Sequence, residues 1–166
     1  MTEIQPEALS FADDGAVPNN PLPLLLWRGA VGVTGTDPAA AFERLFAANG
    51  WPPSWRNGVY PYVHFHTNTH ETLGIAAGRV RVRLGGASGA VVELKAGDVV
   101  LIPAGVGHEN LGASDDLLVV GAYPPGIRED LHRDATDDAD ARARIAAVAR
   151  PARDPVNGKA LWAGRR

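Results

Sequence analysis

The sequence predicts an all-β fold, closed or sandwich-like, with an N-terminal extension that contains one helix and with a C-terminal helix. Three observations lead there. Glycine (19) and proline (13) make almost a fifth of the 166 residues, too much for a helical bundle and suited to short strands joined by tight turns. Apolar residues recur with period two over several stretches between Tyr60 and Tyr123. Glycines such as Gly74, Gly78, Gly85, Gly97 and Gly105 punctuate those stretches.

Residues 1–23 form an arm whose Pro and Asn content opposes helix, and Leu24 to Trp27 reads as a strand laid on a sheet edge. "TGTDPAAAFERLFAANGW" reads as one helix. Thr36 or Asp37 caps it, Pro38 lies near its first turn, Asn49-Gly50 closes it, and Phe42, Leu45 and Phe46 share its apolar face. "YVHFH" alternates as a strand, with His64 and His66 on one face. In "RVRVRL", Val80, Val82 and Leu84 face one way and Arg79, Arg81 and Arg83 the other. "VVELKAGDVVLIPAG" is strand, turn and strand, stopped by Pro103, and "DDLLVVGAYPPG" supplies a last central strand. Beyond Pro125 a short amphipathic helix is expected in "DATDDADARARIAAVAR", with Ile145 and Val148 packing inward. Trp162 in the tail calls for burial. The division expected is a single domain: arm and helix over 1–57, β core over 58–124, helix and tail over 125–166.

A net charge of −3 with no basic patch argues against nucleic acid as a partner. No cysteine is present, which excludes thiolate metal sites and cysteine nucleophiles. Neither a signal peptide nor a run long enough to span a membrane is visible, so a soluble cytoplasmic protein is expected.

The chemistry is concentrated in His64, His66, Glu71 and His108. The first two share a strand face, Glu71 follows five residues later, and His108 ends "PAGVGH", where proline and two glycines break a strand. Three imidazoles and a carboxylate suit one divalent transition metal per chain (Fe, Mn, Ni, Co or Zn) and leave positions open for a small molecule. The blander reading is an HxH pair on a strand, a hydrogen-bonding His108 and a Glu71 paired with an arginine.

Gly58 to Gly78, "GVYPYVHFHTNTHETLGIAAG", resembles the first motif of the cupin superfamily: a glycine, five residues, HxH, four residues, a glutamate, six residues, a glycine. "GDVVLIPAGVGHEN" resembles the second, a glycine, five residues, PxG, two residues and a histidine. The resemblance implies a cupin double-stranded β-helix, a jelly-roll barrel, with His64, His66, Glu71 and His108 as metal ligands. One departure is Gly112, where the second motif usually has asparagine. "GWPPSWRNGVYPYVHFHTNTHETLG", "IPAGVGHENLG", "VVGAYPPG" and "DPVNGKALWAG" resemble the YjlB-like single-domain bacterial cupins, a group whose reaction is not established. Small cupins often pair, so a homodimer is expected.

His70 neighbours Glu71 and should face the opposite way on an extended strand; if the preceding loop shifts the register, His70 instead becomes the third first-motif ligand. It is also a candidate to contact substrate or steady a ligand. Tyr60 and Tyr62 share parity with His64 and are candidate catalytic proton donors, or else aromatics whose hydroxyls reach solvent. Arg56 is a candidate for binding an anionic substrate, although a salt bridge is its ordinary fate. His132, among charges, reads as a solvated surface residue. Two functions compete: a metal-dependent, oxygenase-like enzyme on a small organic molecule, and a non-catalytic binding or sensing protein. A metal-free structural role fits the intact ligand set least well.

Overall fold

The computed structural model describes residues 3–162 of the chain. It contains β1 (Glu7–Leu9), β2 (Leu24–Trp27), α1 (Pro38–Ala48), β3 (Pro53–Asn57), β4 (Glu71–Ala77) and β5 (Arg79–Leu84). β6 (Ala90–Lys95), β7 (Val99–Ile102), β8 (His108–Ala113), β9 (Leu118–Ala122) and α2 (Ala141–Ala146) follow. The strands form two antiparallel sheets, one of six strands in the order β1-β2-β7-β4-β9-β3 and one of three in the order β6-β5-β8.

The closed jelly-roll barrel implied by the motifs is not formed. Both sheets are open, ending at β1 and β3 and at β6 and β8. The histidine segment expected as a strand is held only by isolated bridges, His64 to His108 and Phe65 to His132. Its two residues turn their backbone groups to opposite neighbours, one after the other, so no ladder grows from either side. The chain instead passes between sheets through short connections. Gly78, at φ 77°, links β4 to β5, and Gly105, at φ 85°, lies between β7 and β8. A Cβ on Gly105 would stand 2.5 Å from the Asn19 carbonyl oxygen, so both the backbone angle and the space favour glycine.

The large sheet buries both faces, and period-two alternation sorts its residues between them. Leu73, Ile75, Val100, Ile102 and Val119 join Val80, Val82 and Leu84 of the small sheet in the core between the sheets. Ala76, Val99, Leu101, Val120 and Ala122 face the other way, against Phe42 and Phe46 of α1 and the indoles of Trp27, Trp51 and Trp162. Arg79 and Arg81 are exposed on the outer face of the small sheet, as their alternation requires.

The helix α1 matches expectation: the Asp37 side chain accepts from the Ala40 N–H, Pro38 opens the helix and Asn49 closes it. Phe42 and Phe46 are fully buried and Leu45 is half-buried. Two local expectations need correction. β2 is interior, because the three residues of β1 cover its outer edge. The C-terminal helix shrinks to six residues, since Asp140 makes no side-chain cap and the acidic stretch before it forms turns. Among the described residues no helix is long and apolar enough to cross a membrane.

α1 crosses β4 at Gly74, where an added Cβ would lie 2.3 Å from the Phe42 ring. Because Phe42 is fully buried, it has nowhere to retreat. Gly74→Ala should destabilise the fold by about 1–3 kcal/mol in urea unfolding, while Gly32→Ala, in open space, changes it little.

Candidate metal centre

One end of the inter-sheet core is polar. Glu71 starts β4 on the same face as Leu73 and Ile75, so its carboxylate enters the space between the sheets. His108 starts β8 opposite Leu84 of β5 and points into the same space. His66 lies beyond the bridged pair His64–Phe65, with its carbonyl accepting from the Gly105 N–H at 2.7 Å. The donor atoms of His66, Glu71 and His108 all lie within 4.8 Å of one another, and all three residues are buried. Glu71 Oε1 stands 3.4 Å from His66 Nε2 and 3.2 Å from His108 Nε2. Adjacent ligands with bonds of about 2.0–2.2 Å to one ion are separated by about 3–3.5 Å, so the spacing fits a divalent transition metal.

The imidazoles are oriented for that task. The second nitrogen, Nδ1, of each faces a backbone carbonyl: Tyr62 for His64 at 3.0 Å, Asp130 for His66, and Val106 for His108 at 3.1 Å. A carbonyl only accepts, so Nδ1 must carry the proton, which leaves Nε2 with a lone pair in any neutral ring. The set therefore offers two neutral nitrogens and one anionic oxygen to one divalent transition metal per chain.

His64 packs against this trio, its ring 4.0 Å from that of His108 and 6.1 Å from that of His66. The trio itself is composed without it. Burial first, and then His108, push His64 down to about 3, so its ring is neutral. Burial also lowers His66, but Glu71 and the Asp130 carbonyl outweigh it and raise the ring to about 9. Burial tends to raise Glu71, yet His66 and His108 hold the carboxyl below its ordinary range.

The trio opens into a pocket of about 290 Å³ walled by Trp55, Val59, Tyr60, Leu73, Tyr123 and Leu131. Of the expected catalytic residues, Tyr60 is at this rim, 51% exposed and stacked on Tyr62 at 5.0 Å. Tyr62 lies outside the pocket wall, beneath the Arg133 guanidinium at 4.1 Å. Arg56 is turned outward, paired with Glu43 at 2.6 Å and Asp37 at 3.2 Å. His70 faces away from the trio, as unbroken alternation before β4 requires: Glu71, not His70, enters the inter-sheet space. His132 is half-buried and bridged to Phe65, its Nε2 3.1 Å from Asp130, and so is not simply solvated.

Two neighbours of the site were not expected. Tyr123 is buried, its ring 5.8 Å from that of His66, and its hydroxyl accepts from Trp55 Nε1 at 3.1 Å. Thr72 pairs with Ala122, so the next residue pair outward is Glu71 with Tyr123; strand parity in "VVGAYPPG" contained this signal. Asp130 holds Thr67 through both N–H and hydroxyl as well as holding His66 through its carbonyl. No local signal marks it, because the contact spans more than sixty residues.

The Cupin domain family matches residues 56–120. The chain belongs to the cupin superfamily. It is similar to the uncharacterized protein YjlB of Bacillus subtilis (strain 168), with 40% identity over 159 residues, covering 95% of this chain and 93% of YjlB. Among solved structures it is similar to procruciferin, an 11S globulin of Brassica napus, with 14% identity and a TM-score of 0.40, over 47% of this chain and 21% of the globulin. Acireductone dioxygenase from Bacillus anthracis, with cadmium in its active centre, gives 17% and 0.37 over 53% of this chain and 60% of that one. The chain thus spans about a fifth of the globulin's length, and these distant likenesses carry no substrate or reaction to it.

His66→Ala and His108→Ala should each lower metal content to well under half of the wild-type value by elemental analysis. Phe11→Ala, outside the site, should leave it unchanged. Metal loading should also follow pH. His66 must lose its proton to bind, so affinity should rise about tenfold per unit toward pH 9 and level off above it. The metal-free protein should show the opposite trend. The His66–Glu71 pair stabilises it fully below about 6.5, and that contribution is lost as pH rises through about 9. Titrations of metal affinity and urea stability over the same pH range test both slopes.

Proposed function

We propose that the chain is a divalent-metal-dependent, oxygenase-like enzyme acting on a small organic substrate. The observation that supports this most is the co-location of a buried two-nitrogen, one-oxygen donor set with a pocket of about 290 Å³. In this reading His66, Glu71 and His108 hold the metal and His64 completes the set from beside His108. A bound ion supplies Lewis acidity and, if redox-active, one-electron chemistry.

The chain's own residues then position the substrate. Trp55, Val59, Leu73 and Leu131 give the pocket apolar walls that exclude water. Tyr123 is the fixed hydroxyl. Burial first, and then the Glu71 carboxylate, hold its phenol far above the usual range, so it stays protonated and keeps a hydrogen to donate at the pocket. Among the described residues the pocket wall holds Glu129 and Asp130 but no lysine or arginine. This favours a neutral substrate, or one whose negative oxygen sits at the metal, over a free anion held by Arg56.

Protein purified without a histidine tag should carry about one transition metal per chain. With iron, it should consume dioxygen when offered one of a panel of phenolic, thiol or keto-acid substrates. Tyr123→Phe should keep the metal while lowering turnover by about 10–100-fold. Stoichiometric iron with no turnover across such a panel would favour a binding or sensing protein instead.

A further inference from the structure

The pocket over the trio carries one charge that no partner uses. Glu129 lines its wall and is exposed, and its side chain makes no hydrogen bond or ion pair among the described residues. Its neighbour Asp130 is engaged by Thr67 and His132. Neither cation close to it in sequence is on the wall: Arg128 lies outside it, and Arg133 sits over the Tyr62 ring. The charge is felt inside the pocket. After burial and the Glu71 carboxylate, Glu129 adds to the field that keeps the Tyr123 hydroxyl protonated.

The same wall holds aromatic rings in fixed places. Trp55 lies against Gly121, where an added Cβ would stand 2.2 Å from the indole, and its Nε1 donates to the Tyr123 hydroxyl at 3.1 Å. Tyr60 is exposed yet held, because it stacks on Tyr62, which the Arg133 guanidinium covers in turn. Tyr60 lines the pocket and Tyr62 does not, so the side of Tyr60 away from Tyr62 is presented to a ligand. Tyr60 and Leu131 are two of the four large apolar side chains left exposed among the described residues, and both stand at this pocket. Exposed apolar groups gathered at a pocket rim mark a surface that a ligand covers.

We propose that the pocket selects an aromatic amine, with its ring against Tyr60 and Trp55 and its ammonium paired with Glu129. The inference rests on the reading that this pocket receives the substrate, and it names the class of that substrate. A planar ring gains from stacking on preformed aromatic faces, and an ammonium is also attracted to those faces. A neutral ring keeps the stacking and loses the ion pair, while a saturated ring with the same ammonium keeps the ion pair and loses the stacking. Selectivity is the difference between these ligands, and Glu129 sets its sign.

Tyramine, 4-ethylphenol and 4-(2-aminoethyl)cyclohexanol separate the two contributions. Each is titrated into zinc-loaded and into metal-free 15N-labelled protein at low, constant ionic strength, and binding is read from saturable amide shifts at Tyr60 and Glu129. Tyramine should bind about fivefold more tightly than 4-ethylphenol, the scale of one exposed ion pair. It should bind about threefold more tightly than the cyclohexanol. Glu129→Gln should bring tyramine to within about twofold of 4-ethylphenol, and Glu129→Lys should make tyramine the weaker of the two. Tyr60→Ala should weaken both phenols by a similar factor of about three. Asp115→Asn, at an exposed acid outside the pocket, should keep the wild-type preference. The proposal is overturned if no probe saturates, if tyramine binds no more tightly than 4-ethylphenol, or if Glu129→Gln retains the preference. A protein that keeps the preference but takes up no zinc would contradict the metal-dependent reading alone.

Discussion

The structure turns on one buried carboxylate. Glu71 is 3% exposed and sits at the polar end of the core between two sheets. An isolated charge there would be expensive, by several kcal/mol even after relaxation, unless positive or donating groups surround it. His66, raised to about 9, supplies such a group 3.4 Å away, and His108 Nε2, at 3.2 Å, and the Tyr123 hydroxyl stand beside it. A divalent cation satisfies the same carboxylate more fully than an imidazolium proton does, and the carbonyls facing Nδ1 leave each Nε2 free to share that cation. The need to compensate one charge and the capacity to hold a metal are the same feature.

That carboxylate is placed by the alternation of β4. Its odd-numbered residues, Glu71, Leu73 and Ile75, look between the sheets, while Thr72, Gly74 and Ala76 look toward α1. His70 continues the second series, so two adjacent polar residues serve opposite sides of one sheet. The turn from Pro103 to Gly107 ties the two sides together. Its Ala104 N–H fixes His70, its Gly105 N–H fixes the His66 backbone, and its Val106 carbonyl fixes the His108 ring. Pro103 stops β7 there, and two glycines let the chain turn tightly enough to cross to β8.

Much of this was legible in the residues. α1 was readable because its signals are local: Asp37, Pro38 and Asn49-Gly50 mark its ends regardless of tertiary context. β5 and β6 were readable because one buried face imposes alternation, and β7 and β9 because short apolar runs, buried on both faces, end before a proline. The two motifs pointed to His64, His66, Glu71 and His108, of which the last three form the trio, and parity favoured the opposite face for His70 while a register shift stayed open as the alternative. Closure was not readable. Whether an edge strand finds a partner depends on long-range pairing, and the His64–Phe65 stretch divides its hydrogen bonds between residues 108 and 132. The interior place of β2 depends on the distant β1, and Asp130 gains its role only when the C-terminal segment folds over His66. Arg56 answered to nearby acids on α1 and its N-cap, an attraction that its own strand does not announce.

The central claim is that backbone carbonyls hold the site's imidazoles with Nε2 inward, ready to share an ion with Glu71. The most direct measurement is a long-range 1H–15N correlation spectrum of the histidine rings in the zinc-loaded protein. The account predicts that His66 and His108 bind zinc through Nε2 and keep a proton on Nδ1. Zinc bound through Nδ1 of either ring, or rings of His66 and His108 unchanged by stoichiometric zinc, would contradict it.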